Sequence, residues 1–300
     1  MSTSAGRVDA SSRAGFYYAL AAYSLWGFLP LYFRAVDHIP PLEVLAHRIL
    51  WSVPVALIVI AVQRRLGELL SLFSDRRVVG MMMFTASLIT INWGLYIWAI
   101  SKNITSETAL GYYINPLITV MLGYALLGEK LTRMQAIAVA IAAFAVFIRT
   151  VAGGVFPWIA LTLAFSFAAY GYLRKTVPVG PTQGFLMEVV LLFPIALAYM
   201  FYLSWNGENH FSQSVSNSFW LMLAGPVTAI PLILYAFGAK LLRLSTLGLM
   251  QYIAPSLIFL ISFLVFKEEM DFWQGLTFVL IWSALVLYSW SLMRQSRQVQ

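Results

Sequence analysis

The chain has 300 residues, 61% of them hydrophobic and only 10% charged, with a mean hydropathy of +0.80; this excludes an ordinary soluble domain. Its net charge of +7 comes from basic residues in short loops between apolar runs, which points to membrane topology rather than nucleic acid. There is no cysteine, so disulfides, thiol nucleophiles and thiolate metal sites are excluded.

Residues 1–14 form a polar N-terminal segment. The apolar run that follows, from about Gly15, is too long for a signal-peptide core and lacks a cleavage site, so it is expected to stay in the mature protein. Ten spans are predicted, at 15–33, 44–62, 78–100, 106–127, 134–150, 154–173, 183–204, 218–239, 245–266 and 272–292. The fold class is therefore an all-α integral membrane protein. Loops are short throughout, and the longest, residues 206–217, is polar and too small to fold alone. The fifth span carries alanine at 136, 138, 140, 142, 143 and 145, which suits close helix packing.

Residues 106–135, SETALGYYINPLITVMLGYALLGEKLTRMQ, recur 139 positions later as STLGLMQYIAPSLIFLISFLVFKEEMDFWQ. Without a gap, Tyr113 falls on Tyr252, Pro116 on Pro255, Glu129 on Glu268 and Gln135 on Gln274. This is an internal repeat. It divides the chain into a first five-helix repeat, 15–150, and a second, 154–292, with a C-terminal tail at 293–300. Because five is odd, the second repeat crosses the membrane in the opposite sense, and the halves are inverted. With the N-terminus in the cytoplasm, 14 Lys and Arg fall inside and 5 outside, so both termini are expected in the cytoplasm. Pro116 and Pro255 lie near mid-span, where a missing N–H should free the carbonyls of Tyr112 and Gln251 and kink each helix. Freed carbonyls in lipid need partners, so the duplication favours a cavity over a packing kink.

The repeated segment with its proline-bearing span resembles the EamA domain, the repeat unit of the drug/metabolite transporter superfamily. AHRILWS (46–52), INWGLYIWA (91–99), GYYINPL (111–117), RMQ (133–135), LAFSFAAYGYLRK (163–175) and LSTLGLMQYIAP (244–255) are similar to strings of the RarD group within it. The likeness runs from the second span to the ninth. It implies a ten-helix, two-repeat transporter of small molecules in a bacterial inner membrane.

Catalysis has little to stand on. The three histidines are far apart in sequence, and no phosphate-cradling glycine loop is present. No cofactor or metal is expected. Intramembrane polar and aromatic residues are the better leads, since burying them is costly and they tend to mark pathways. The substrate-cavity candidates are Trp26, Asn92, Trp93, Tyr96, Tyr112, Tyr113, Asn115, Ser166, Tyr170, Tyr235, Gln251 and Tyr252. Together they offer stacking faces and a few hydrogen-bonding groups, suited to an amphiphilic or aromatic metabolite. The alternative for each is helix–helix hydrogen bonding.

Glu188 lies about a turn and a half into the seventh span. It is a proton-coupling candidate, or it pairs with Arg174 or Lys175. His47 and Arg48 open the second span as an ion pair with Glu43 or as an anion-attracting mouth. Glu129 and Glu268 are expected to fix helix ends rather than touch substrate. The leading function is a secondary transporter, an exporter, working by alternating access in the lipid bilayer on a small-molecule substrate. A passive channel or a non-transporting scaffold or sensor is the alternative. The oligomeric state is left open.

Overall fold

The computed structural model describes residues 2–102, 105–153, 157–265, 267 and 272–298, and those residues are helical with short connections. They fall into two compact units.

The first unit comprises Met1–Ile91 and Leu173–Leu241. It holds α1 (Ser2–Gly27), α2 (Leu29–Ala35), α3 (Pro41–Val62), α4 (Leu66–Ser74), most of α5 (Arg76–Ser101), the end of α8 (Trp158–Thr176), α9 (Pro181–Asn206) and α10 (Val215–Leu241). The second comprises Asn92–Tyr172 and Leu242–Gln300. It holds the rest of α5 and α8 together with α6 (Thr105–Leu127), α7 (Arg133–Gly153), α11 (Leu244–Met250), α12 (Ile253–Leu264) and α13 (Phe272–Gln298).

Among the described residues, six stretches are long and apolar enough to cross a membrane: Pro41–Val62, Arg76–Tyr96, Leu110–Leu127, Pro181–Asn206, Val215–Leu241 and Leu244–Ile261. Arg133–Ile148 and Gly275–Ser291 are shorter apolar helices in two of the remaining expected positions. This is an all-α, multi-pass membrane fold. Three details differ from expectation. α1 starts at Ser2, well ahead of residue 15. The first expected span is divided at Phe28, because Pro30 enters at the start of α2, where a proline needs no N–H partner. Helix α4 is additional, and it is followed by Asp75, whose Oδ1 accepts the N–H groups of Arg77 (2.8 Å) and Val78 (3.3 Å) to cap α5.

Each unit draws helices from both sequence repeats, so the packed units and the repeats are different divisions of the chain. Three pairs of helices made counterparts by the 139-residue offset lie against one another. α3 packs on α9 in the first unit, with Ala46 and Ile49 meeting Leu192, Ala196 and Met200. In the second, α6 packs on α11 and α7 on α13. The alanines of α7 serve this contact: Ala138, Ala142 and Ala145 are fully buried in one cluster with Ile281, Ala284 and Tyr288 of α13. Small side chains let two backbones approach where lipid offers no hydrophobic drive.

The repeated loop after α6 is a chain of helix-end devices. Gly128 takes a left-handed conformation, φ +62°, that a residue with a Cβ seldom adopts, and the Glu129 N–H turns back to Gly123 O at 3.1 Å. Thr132 and Gln135 then form a reciprocal capping box on α7: Thr132 N–H donates to Gln135 Oε1 (2.9 Å) and Gln135 N–H to Thr132 Oγ1 (3.3 Å). Lys267, the counterpart of Gly128, also has positive φ, at 55°.

Candidate functional site

In the second unit the centre of interest is the join between α11 and α12. Pro255 lacks the N–H that would continue the ladder to Gln251 O, and Ala254 N–H takes that carbonyl instead, at 3.2 Å. Gln251 and Tyr252 reach back only three residues, to Gly248 O (3.1 Å) and Leu249 O (3.2 Å), so the helix tightens and is interrupted there. α6, by contrast, passes Pro116 as one undivided helix. Both prolines are buried in protein. Gln251 is only 6% exposed, and neither end of its amide has a hydrogen-bond partner among the described residues.

Tyr252 is fully buried, and its phenol donates to the carbonyl of Tyr113 at 2.9 Å. Tyr113 sets its own ring edge-on to Phe278, with centroids 5.6 Å apart. α11 approaches α6 closely at Gly248, where a Cβ would sit 3.0 Å from both Pro116 O and Thr119 Cβ. Asn115 is engaged locally, its carbonyl and Oδ1 accepting from the Thr119 hydroxyl at 3.0 and 3.3 Å.

Asn92 ties α5 to α8 by donating Nδ2–H to Leu163 O (2.8 Å) and to Ser166 Oγ (2.9 Å), so two sequence candidates meet here. Tyr96 stands edge-on to Tyr112, centroids 6.1 Å apart, and Tyr112 is 45% exposed. Trp93 is half-buried. Tyr170 is buried beside Phe167. Trp26 and Tyr235 belong to the first unit, where their rings lie 5.5 Å apart and each packs on Tyr23. The other ten cavity candidates belong to the second unit.

The charged candidates have acquired specific partners. Glu188 lies 3.6 Å from Arg174, the two side chains 3% and 1% exposed, and Arg174 also donates to Pro181 O at 2.6 Å. This is the pairing alternative raised for Glu188. Glu43 does not bond His47 or Arg48; it is taken by His210 from the 206–217 loop, through the backbone N–H and the ring Nδ1, each at 2.7 Å. His47 instead accepts the indole N–H of Trp51 at 3.1 Å, and Arg48 donates to Thr228 Oγ1 at 2.8 Å. The role of His210 was not legible because it sits 167 residues from Glu43. Glu129 caps α11, its two oxygens accepting the N–H groups of Leu244 (2.6 Å) and Ser245 (2.8 Å), with Arg243 Nε 3.9 Å away. Glu268 lies outside the described residues.

These groups can bind. Amide and hydroxyl groups with aromatic faces, buried within spans, suit recognition of a small molecule.

Residues 13–151 match the EamA-like transporter family. Over nearly the whole chain, the sequence is similar to Protein RarD of Streptomyces exfoliatus, 38% identical over 97% of this chain and 93% of the relative. It is likewise similar to the uncharacterized transporter YojE of Bacillus subtilis, 40% identical over 96% of this chain and 97% of the other. A crystal structure shares the fold at a TM-score of 0.69 and 16% identity, covering 92% of this chain and 97% of that one.

Proposed function

We propose that this chain, which belongs to the EamA-like transporter family, is a secondary transporter that exports a small amphiphilic or aromatic molecule across a bacterial inner membrane. It is a multi-pass membrane transporter, and its relatives are bacterial. The reading places both termini in the cytoplasm and has the two sequence repeats inverted about a binding site near the membrane midplane.

The observation that carries the binding site is the interrupted α11–α12 span with the buried Gln251 amide at the break. Non-helical backbone and an unsatisfied amide are expensive in lipid, and are kept where they line a binding cavity. Asn92, Ser166 and the Tyr96–Tyr112 pair belong to the same unit and supply further polar and ring contacts. Packing of counterpart helices, α6 on α11 and α7 on α13, supports the two-repeat architecture that alternating access requires.

Proton coupling through Glu188 asks that residue to exchange Arg174 for a proton during the cycle. Uptake of a candidate substrate into proteoliposomes, with and without a proton gradient, tests the whole reading. Gradient-dependent accumulation supports a coupled transporter. Equilibration alone identifies a passive pathway, and no flux for any substrate that stabilises the protein rejects transport.

A further inference from the structure

One turn of α3 separates Glu43 from His47 and Arg48, and the three residues are used differently. Glu43 has no exposed surface, and both its oxygens are engaged by His210. The loop residue His210 therefore holds the Glu43 carboxylate in place.

His47 is 4% exposed. Its Nδ1 accepts the Trp51 indole N–H at 3.1 Å, and an indole only donates, so the ring's own proton is on Nε2. That Nε2–H has no acceptor among the described residues. Beside it, Arg48 is a half-buried cation two turns into an apolar span, the kind of group that marks a ligand path. Its Nε donates to Thr228 Oγ1 at 2.8 Å, and Thr228 passes its own proton to Ala224 O at 2.7 Å. The guanidinium carbon lies 5.9 Å over the Phe33 ring. Phe211 stacks on His47, centroids 5.1 Å apart and planes at 25°, and it packs on the same buried cluster as Phe33.

We propose that His47 Nε2–H and the Arg48 guanidinium bind the carboxylate of a small aromatic acid, with the Phe33 and Phe211 rings as its apolar contacts. A guanidinium matches a carboxylate in shape and charge, and a buried neutral N–H adds a directed donor. As a binding site this stands by itself; as the substrate class of an exporter it rests on the transporter reading.

The experiment measures thermal unfolding of the purified full-length protein with benzoate as probe and benzamide as its uncharged counterpart. Benzoate is expected to raise the midpoint by a few degrees, and benzamide to leave it unchanged. Arg48→Gln should remove the response and Arg48→Lys retain part of it. His47→Phe keeps a stacked ring without the donor and should weaken benzoate binding at least tenfold. No benzoate response in the wild type overturns the proposal, as does an undiminished response in both His47→Phe and Arg48→Lys should Arg48→Gln fail to fold. Repeating the titration in phosphatidylcholine and phosphatidylglycerol nanodiscs separates the two sources of anion. Loss of the response in phosphatidylglycerol alone would assign the site to a lipid headgroup and overturn the small-molecule form. None of these outcomes requires transport, so proteoliposome uptake judges that reading separately.

Discussion

The phenol of Tyr252 donates a 2.9 Å hydrogen bond to the backbone carbonyl of Tyr113, and the two tyrosines are each other's counterparts at the 139-residue offset. The bond is not reciprocated, since the Tyr113 ring turns to Phe278. The two copies of the repeated segment therefore differ here, as the divided α11–α12 span and the undivided α6 also show.

This joint makes a graded stability prediction. Tyr252→Phe removes one interhelical hydrogen bond and should cost about 1 kcal/mol. Gly248→Val places a branched side chain where a Cβ alone would meet Pro116 O at 3.0 Å. A backbone oxygen cannot rotate aside, so this change should cost more, about 2–3 kcal/mol by overpacking. Thermal unfolding in detergent measures both. A Gly248→Val midpoint at or above that of Tyr252→Phe would show that α6 and α11 are not held together there.

The buried pair of Arg174 and Glu188 gives a second prediction. Glu188→Gln leaves Arg174, 2% exposed, without its opposite charge, and breaking such a pair costs about 3–5 kcal/mol. Removing both charges, as in Arg174→Met with Glu188→Leu, should recover most of that loss. Failure of the double variant to outlast the single one would mean that other contacts, such as Arg174 to Pro181 O, dominate.

Topology is checked without purification. Reporter fusions at residue 70 and at the C-terminus should both report the cytoplasm, and one at residue 210 the outside. A cytoplasmic signal at 210 would overturn the inverted arrangement of the repeats.

Much of this was legible in the residues. Composition dictates a membrane protein, and the offset aligning Pro116 with Pro255 and Glu129 with Glu268 marks the repeat. The helix-end role of Glu129 followed from its place just after a span. Contacts between distant segments were not legible. Nothing local to Glu43 announces His210, and the pattern that pairs Asn92 with Ser166 depends on which faces α5 and α8 present to one another. The division of the first span at Phe28 is not legible either, because the run stays apolar across Pro30. Hydropathy measures length in lipid; it does not say which helix answers which polar group.

The last prediction ties the candidate site to transport. Gln251 presents a buried amide with no partner among the described residues, whereas Glu129 has both oxygens occupied by the N-terminus of α11. Gln251→Ala should therefore leave folding nearly unchanged while weakening substrate binding by tenfold or more, because a polar site discriminates strongly once its ligand-facing group is lost. Tyr252→Ala should weaken binding too, with a stability loss added by the cavity and the missing bond to Tyr113. Glu129→Gln keeps one acceptor at the helix end but loses the charge, so it should cost about 1 kcal/mol and leave transport intact. Glu188→Gln separates coupling from structure: a carboxyl that carries protons makes the variant's transport independent of pH, while a purely structural pair lowers protein yield and leaves the pH profile of the surviving protein unchanged. The four variants are compared in one proteoliposome assay at matched protein content. Transport abolished by Glu129→Gln and untouched by Gln251→Ala and Tyr252→Ala would move the site away from the α11–α12 break.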